Sequence, residues 1–253
     1  MKNEIDKIDK IDDLADLESF DKRAFEADAD VSQDVCNFVL TLALIFNDLK
    51  DLIYAHVSLN TQKPRGSFRI SRLWGAYNGI NMHLLRLMLG LFHEFIEFLK
   101  RSDKVLIDPF LQSVLKLLSK ENRELWQTLV NIALDKQTIT AENRFAFFVR
   151  NKLVFHYDPK EIFWGYNAFF SSNEQGAERA FVSRGMNMAK TRHFFADGAA
   201  QGYFIKNVQG KEDAEALILK TVKNLGEISL TITEIVNCFI QKRGFAYKAE
   251  SEE

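Results

Sequence analysis

From Ser67 to Ser102 the chain contains no proline, and Gly75, Gly79 and Gly90 are the only glycines in that span. Leu73, Tyr77, Ile80, Leu84, Leu87, Leu91, Phe95 and Phe98 recur through it at spacings of three and four. That period places them on one stripe of an α-helix. A strand of this length would be far outside the usual range. The fold must therefore be built around a long helix, and other helices must cover its apolar stripe. Composition agrees. Of 253 residues only 3 are proline and 12 glycine, while 47% are hydrophobic and 22 are phenylalanine. So few breakers disfavour a turn-rich β fold.

The same period predicts a helix over 31–57, with Asp30 or Ser32 as its cap and Val35, Phe38, Val39, Leu42, Phe46, Leu49 and Ile53 on its apolar face. Shorter helices are expected over 109–118 and 122–134. Another should begin at the N-cap Thr140 and end near His156. Asp158, Pro159 and Glu161 then have the order of a cap, a first-turn proline and a capping-box acid. Residues 172–208 mix Gly, Ser and short apolar runs. They suggest strands near 180–184 and 192–196, with Asp197 capping a short helix. A last helix is expected over 212–241. The expectation is a mainly all-α fold, a helical bundle of five to seven helices with a small two-stranded β elaboration near 178–197. Residues 1–30 read as an acidic, partly disordered arm, 31–245 as a single domain, and 246–253 as a disordered acidic tail.

Net charge is −2, but it is unevenly placed. Residues 1–30 hold 11 acidic and 5 basic side chains, leaving 24 acidic and 28 basic in the rest. The body is mildly basic, which permits a polyanionic partner without requiring one. The first residues have no apolar signal region, and the run 35–46 is too short and interrupted to span a membrane. A cytoplasmic protein with no membrane partner is expected. Cys36 and Cys238 lie far apart and read as free thiols.

No Gly-rich phosphate loop, paired CxxC or HExxH occurs, so no metal or other cofactor is expected. His83 and His93 are ten residues apart and cannot chelate one ion from one helix face. Like the solitary His56 and His193, they read as packed or surface histidines.

One stretch stands apart, "FVRNKLVFHYDP", Phe148 to Pro159. Arg150 is followed at once by Asn151 and, after four more residues, by His156. The set sits at a helix end, among Phe148, Phe155, Tyr157 and Trp164. A second Arg-to-His spacing, Arg86 to His93, lies within an apolar run and reads as coincidence. An imidazole that titrates near neutrality can move a proton, and a guanidinium can hold two phosphate oxygens. On one continuous helix residues six apart point about 120° away from each other. A second copy of the chain, or a helix ending near Phe155, would bring the two groups together.

Arg150, Asn151 and His156, spaced in this way in a helical chain, resemble the HEPN superfamily, the higher eukaryotes and prokaryotes nucleotide-binding domains. The resemblance covers the motif and the helical architecture. It implies a homodimer paired through the motif helix and a metal-independent endoribonuclease of the kind found in toxin–antitoxin and phage-defence systems. In that reading Arg150 and His156 are catalytic, Asn151 supports them, and an antitoxin is an expected partner. A subgroup of the family carries a modified tyrosine two positions after the histidine. Here Asp158 holds that position and Tyr157 precedes it. The other reading on the same fold is a non-catalytic nucleotide- or protein-binding dimer module. A third is a small-molecule binder using a Phe-lined pocket. Lys63, Arg65, Arg69 and Arg72, grouped around Phe68, are the candidate RNA-binding residues. A solvated loop and helix start is the plainer account of the same four.

Overall fold

A computed structural model describes residues 18–65, 71–134, 158–171, 180–207, 214–245 and 247–249. The described residues form a mostly helical bundle. The expected stripe of the long helix is only partly covered: Tyr77 and Phe95 are buried, Leu73 and Ile80 are exposed, and Leu85, Met88, Leu89, Phe92, Ile96 and Leu99 are buried instead. Three helices are long: α1 (Gln33–Thr61), α2 (Arg72–Arg101) and α8 (Ala214–Lys242). Between α2 and α8 come α3 (Asp103–Leu106), α4 (Pro109–Leu115), α5 (Lys120–Ala133), α6 (Pro159–Ser171) and α7 (Phe194–Asn207). Two short strands, β1 (Glu18–Ser19) and β2 (Lys248–Ala249), pair antiparallel. The chain clusters into two compact units. One contains the described residues of Met1–Asp51, Glu94–Ile139 and Lys223–Glu253, the other those of Leu52–His93 and Thr140–Val222.

The first unit is held by an apolar core. Val35, Phe38, Val39 and Leu42 of α1, Phe95 and Leu99 of α2, Trp126 of α5 and Ile232, Ile235 and Phe239 of α8 are all buried. Phe38 stacks on Phe98 at 5.1 Å and meets the edge of Trp126 at 6.4 Å. Aromatic pairs of this kind contribute about 1 kcal/mol each beyond the area they bury. Ser119, the residue before α5, makes no side-chain cap to its own helix. Glu234 of α8 instead holds this end of α5, accepting from Ser119 N at 2.7 Å, from Ser119 Oγ at 2.9 Å and from the Asn122 side chain. Burial pushes the Glu234 carboxyl up, but the bonds from Asn122 and Ser119 outweigh it and its pKa is lowered.

Residues 18–30 have specific partners in this unit. The Arg243 guanidinium donates to the carbonyls of Ala24 (3.1 Å), Arg23 (3.1 Å) and Glu26 (2.6 Å) and also pairs with Asp28. Gly244, at φ 80°, ends α8 by donating to the Gln241 carbonyl, and Phe245 donates to that of Ile240. Those two bonds make a Schellman cap, and a positive φ is a conformation glycine adopts at least cost. Cys36 is buried and Cys238 half-buried, and both are free.

The second unit contains the described remainder of α1 and α2 together with α6 and α7. Asp158 caps α6 by accepting from Lys160 N at 3.1 Å, as its place before Pro159 predicts. Helices α6 and α7 pack closely at Gly165, Gly198 and Gly202, where no larger side chain fits. A Cβ on Gly202 would strike the Gly165 carbonyl and come within 2.7 Å of Phe169 N, and one on Gly165 would strike the Ala199 carbonyl. Gly198 and Gly202 thus form a glycine notch on α7. Tyr203 beside it is fully buried and meets Trp164 edge-on at 5.9 Å.

The β elaboration is a single antiparallel bridge, Ser183 with Arg192, with both N–H···O distances 2.9 Å. The second expected strand stops early, because α7 begins at Phe194 rather than after Asp197. The short apolar run in "HFFA" suggests a strand, but the His193 carbonyl accepts from Ala196 N at 2.9 Å and starts a helix. Phe194 then lies over Gly75, where an added Cβ would come within 2.7 Å of its ring.

Candidate functional site

Arg150, Asn151, His156 and Arg69 lie outside the described residues. Lys63, Arg65 and Arg72 are described, and all three are exposed. Lys63 follows the end of α1 and donates its backbone N–H to the Asn60 carbonyl at 3.1 Å. Arg72 is the first residue of α2. Ser71 accepts from Trp74 N at 3.2 Å and acts as the cap, so this helix starts a few residues later than the period alone suggests. Trp74, half-buried, meets Tyr77 edge-on at 5.9 Å.

Further along α2, the spacing Gly75, Gly79, His83, Arg86 keeps one face of the helix toward residues 192–197. Gly79 is where that segment comes nearest. A Cβ there would collide with Arg192 Nη2 and lie 2.5 Å from Asp197 Oδ2. Arg192 and Asp197 form a two-pronged ion pair, Nε to Oδ2 at 2.8 Å and Nη2 to Oδ1 at 3.3 Å. Their side chains are 31% and 26% exposed, so the pair is shielded but open to solvent. One turn beyond Gly79, His83 Nδ1 lies 3.5 Å from Arg86 Nη2. Burial lowers the His83 pKa, the charges of Arg86 and Arg192 lower it further, and Asp197 opposes them. Arginine only donates, so the contact leaves Nδ1 as acceptor and the proton on Nε2.

A second polar group is buried between α1 and α2. Tyr77 donates its hydroxyl to Asn60 Oδ1 at 2.7 Å, and Asn60 Nδ2 lies 3.1 Å from His56 Nε2. His56 is only 2% exposed, and burial lowers its pKa, with Asn81 pulling weakly the other way. Neither His56 Nδ1 nor Asn81 Oδ1 meets a partner at hydrogen-bonding geometry. Among the described residues, no three His, Cys, Asp or Glu converge on a position that could hold a metal ion.

The grouping of His83, Arg86, Arg192 and Asp197 was not anticipated from the sequence. Its one local signal is the i, i+3 spacing of His83 and Arg86, which any helix surface can show. Arg192 and Asp197 come from more than a hundred residues away, and Asp197 has the credentials of a helix cap. No helix described here is long and apolar enough to cross a membrane. Comparison with family models, with curated proteins and with solved structures returns no match to this chain.

Proposed function

We propose that the chain is a HEPN-like endoribonuclease that cuts RNA without a metal ion, using Arg150 and His156, with Asn151 in support. The observation that carries this reading is the Arg150–Asn151–(four residues)–His156 spacing in a chain whose described residues form an all-α bundle. The exposed cations Lys63, Arg65 and Arg72 suit a polyanionic substrate. RNA supplies its own nucleophile. The 2′-oxygen attacks phosphorus, the bond from phosphorus to the 5′-oxygen breaks, and a 2′,3′-cyclic phosphate results. His156 takes the 2′-hydroxyl proton or returns one to the leaving 5′-oxygen. Arg150 holds the phosphate oxygens as charge builds on them. A homodimer through the motif helix lets two copies line one cleft, and an antitoxin or phage-defence partner belongs to the same reading.

The test is cleavage of a mixed RNA pool in EDTA. Wild type should cut, and Arg150→Ala and His156→Ala should each lose on the order of 10²–10⁴ in rate while remaining folded by circular dichroism. If the wild type is inert, or the variants cut as well as it does, the non-catalytic nucleotide- or protein-binding module replaces this reading.

A further inference from the structure

We infer that the loop 184–190 is a docking surface for single-stranded RNA, outside the Arg150–His156 motif; the choice of RNA rests on the reading proposed above. The loop is closed on itself. Ser183 and Arg192 exchange two N–H···O bonds of 2.9 Å. Further in, Gly185 N donates to Thr191 Oγ1 at 3.2 Å, and the Thr191 hydroxyl lies 3.0 Å from the Asn187 carbonyl. Asn187 Oδ1 accepts from Lys190 N at 3.1 Å and starts a 3-10 turn, Met188–Lys190. Gly185 lies so close to Lys190 that an added Cβ would collide with the lysine Cβ. Residues 184–190 are therefore held together in one small tip.

The side chains of that tip are left to solvent. Met186 is 101% and Met188 91% exposed, and Arg184 and Lys190 are exposed on either side of them. The order is cation, methionine, methionine, cation at every second position. Behind the tip Phe181 and Phe195 are also exposed, and Phe195 N donates to the Phe181 carbonyl at 3.2 Å. A loop that only reverses the chain gains nothing from two methionines in water, because apolar side chains of this size favour burial. Charge selects the partner. Residues 180–196 contain no Asp or Glu, and Arg192 is engaged by Asp197. Among the described residues, Arg184 and Lys190 meet no carboxylate. The tip is thus cationic and apolar at once. A single RNA strand matches both properties, since each nucleotide offers a phosphate to a cation and a flat base face to a flexible thioether. A duplex offers the phosphates but hides the base faces.

The experiment uses the full chain and follows the fluorescence anisotropy of a short labelled 2′-O-methyl RNA, as a single strand and as a duplex. The probe has no free 2′-hydroxyl, so binding is read apart from cleavage. The strand should bind more tightly than the duplex. Met186→Ser combined with Met188→Ser should weaken strand binding about tenfold, the scale of one lost base contact, and leave its salt dependence unchanged. Arg184→Gln combined with Lys190→Gln should make the slope of log K against log salt shallower by about 1.4, which is about 0.7 for each phosphate contact. Arg101→Gln, an exposed cation of the first unit, should change neither. These side chains are exposed, so the variants keep the fold, and circular dichroism checks it. A protein that cuts no RNA yet binds the strand through Met186 and Met188 would sink the ribonuclease reading and uphold this surface. Strand binding that ignores the methionines, an equal loss in Arg101→Gln, or a preference for the duplex overturns it. So does methionine-dependent binding to phosphatidylserine vesicles in place of RNA.

Discussion

His56 shows what burial does to one titratable side chain in this fold. It is 2% exposed and sits beside Asn60, which Tyr77 holds in turn. Its folded pKa lies below the ordinary 6.5, chiefly through desolvation. The unfolded chain therefore takes up the proton first as pH falls. The stability linked to a neutral His56 is complete above about pH 6.5 and is lost as pH drops toward the folded value. Denaturant unfolding at pH 7.5 and 5.5 should show wild type weaker at the lower pH, by at most about 1.4 kcal/mol per pH unit for this one group. His56→Gln should flatten that slope. An equal slope in the variant would mean that the imidazole stays solvated and the buried polar group is misassigned. From sequence His56 reads as a packed histidine, and it is one. Its partners could not be read, because Asn60 and Tyr77 are ordinary helix residues until α1 and α2 are set side by side.

At the scale of elements, the helices were legible wherever one stripe of apolar residues faced one core. The spacing from Val35 to Ile53 marks α1, and the Asp158–Pro159 pair marks the start of α6. Helix α7 was harder. Its first residue, Phe194, lies against Gly75, and its fit to α6 depends on Gly165, Gly198 and Gly202. In a sequence these glycines count as breakers. In the fold Gly165 and Gly202 permit backbones to approach, and Gly75 and Gly198 admit the rings of Phe194 and Phe169, where any side chain would intrude. Gly202→Leu should therefore destabilise the second unit by about 3 kcal/mol, since overpacking against backbone cannot be relieved by rotating a side chain. Gain of an alanine-like helix propensity would offset only about 1 kcal/mol of that. Thermal unfolding checks this, and a variant as stable as wild type would show that α6 and α7 are not in such close register. Asp197 gives the complementary lesson. Its position fits a helix cap, yet the structure uses it to orient Arg192.

For the whole molecule, the scarcity of proline and the long apolar stripe were enough to indicate an all-α bundle, and the described residues form one. The proposed function rests on a different place, the short spacing of Arg150, Asn151 and His156, which carries the resemblance to HEPN proteins. The His83 cluster could not be read because its members meet only after folding. In the proposed reaction the RNA's own 2′-hydroxyl is the nucleophile, so removing it removes the reaction. The most direct measurement incubates the protein in EDTA with an RNA it cuts and with the same RNA carrying one 2′-deoxy sugar at the cut position. Mass spectrometry then identifies the product ends. The account predicts a 2′,3′-cyclic phosphate from the ribose substrate and no cut at the deoxy position. Ends bearing a 3′-hydroxyl and a 5′-phosphate, cutting of the deoxy substrate, or no cutting of any RNA would contradict it.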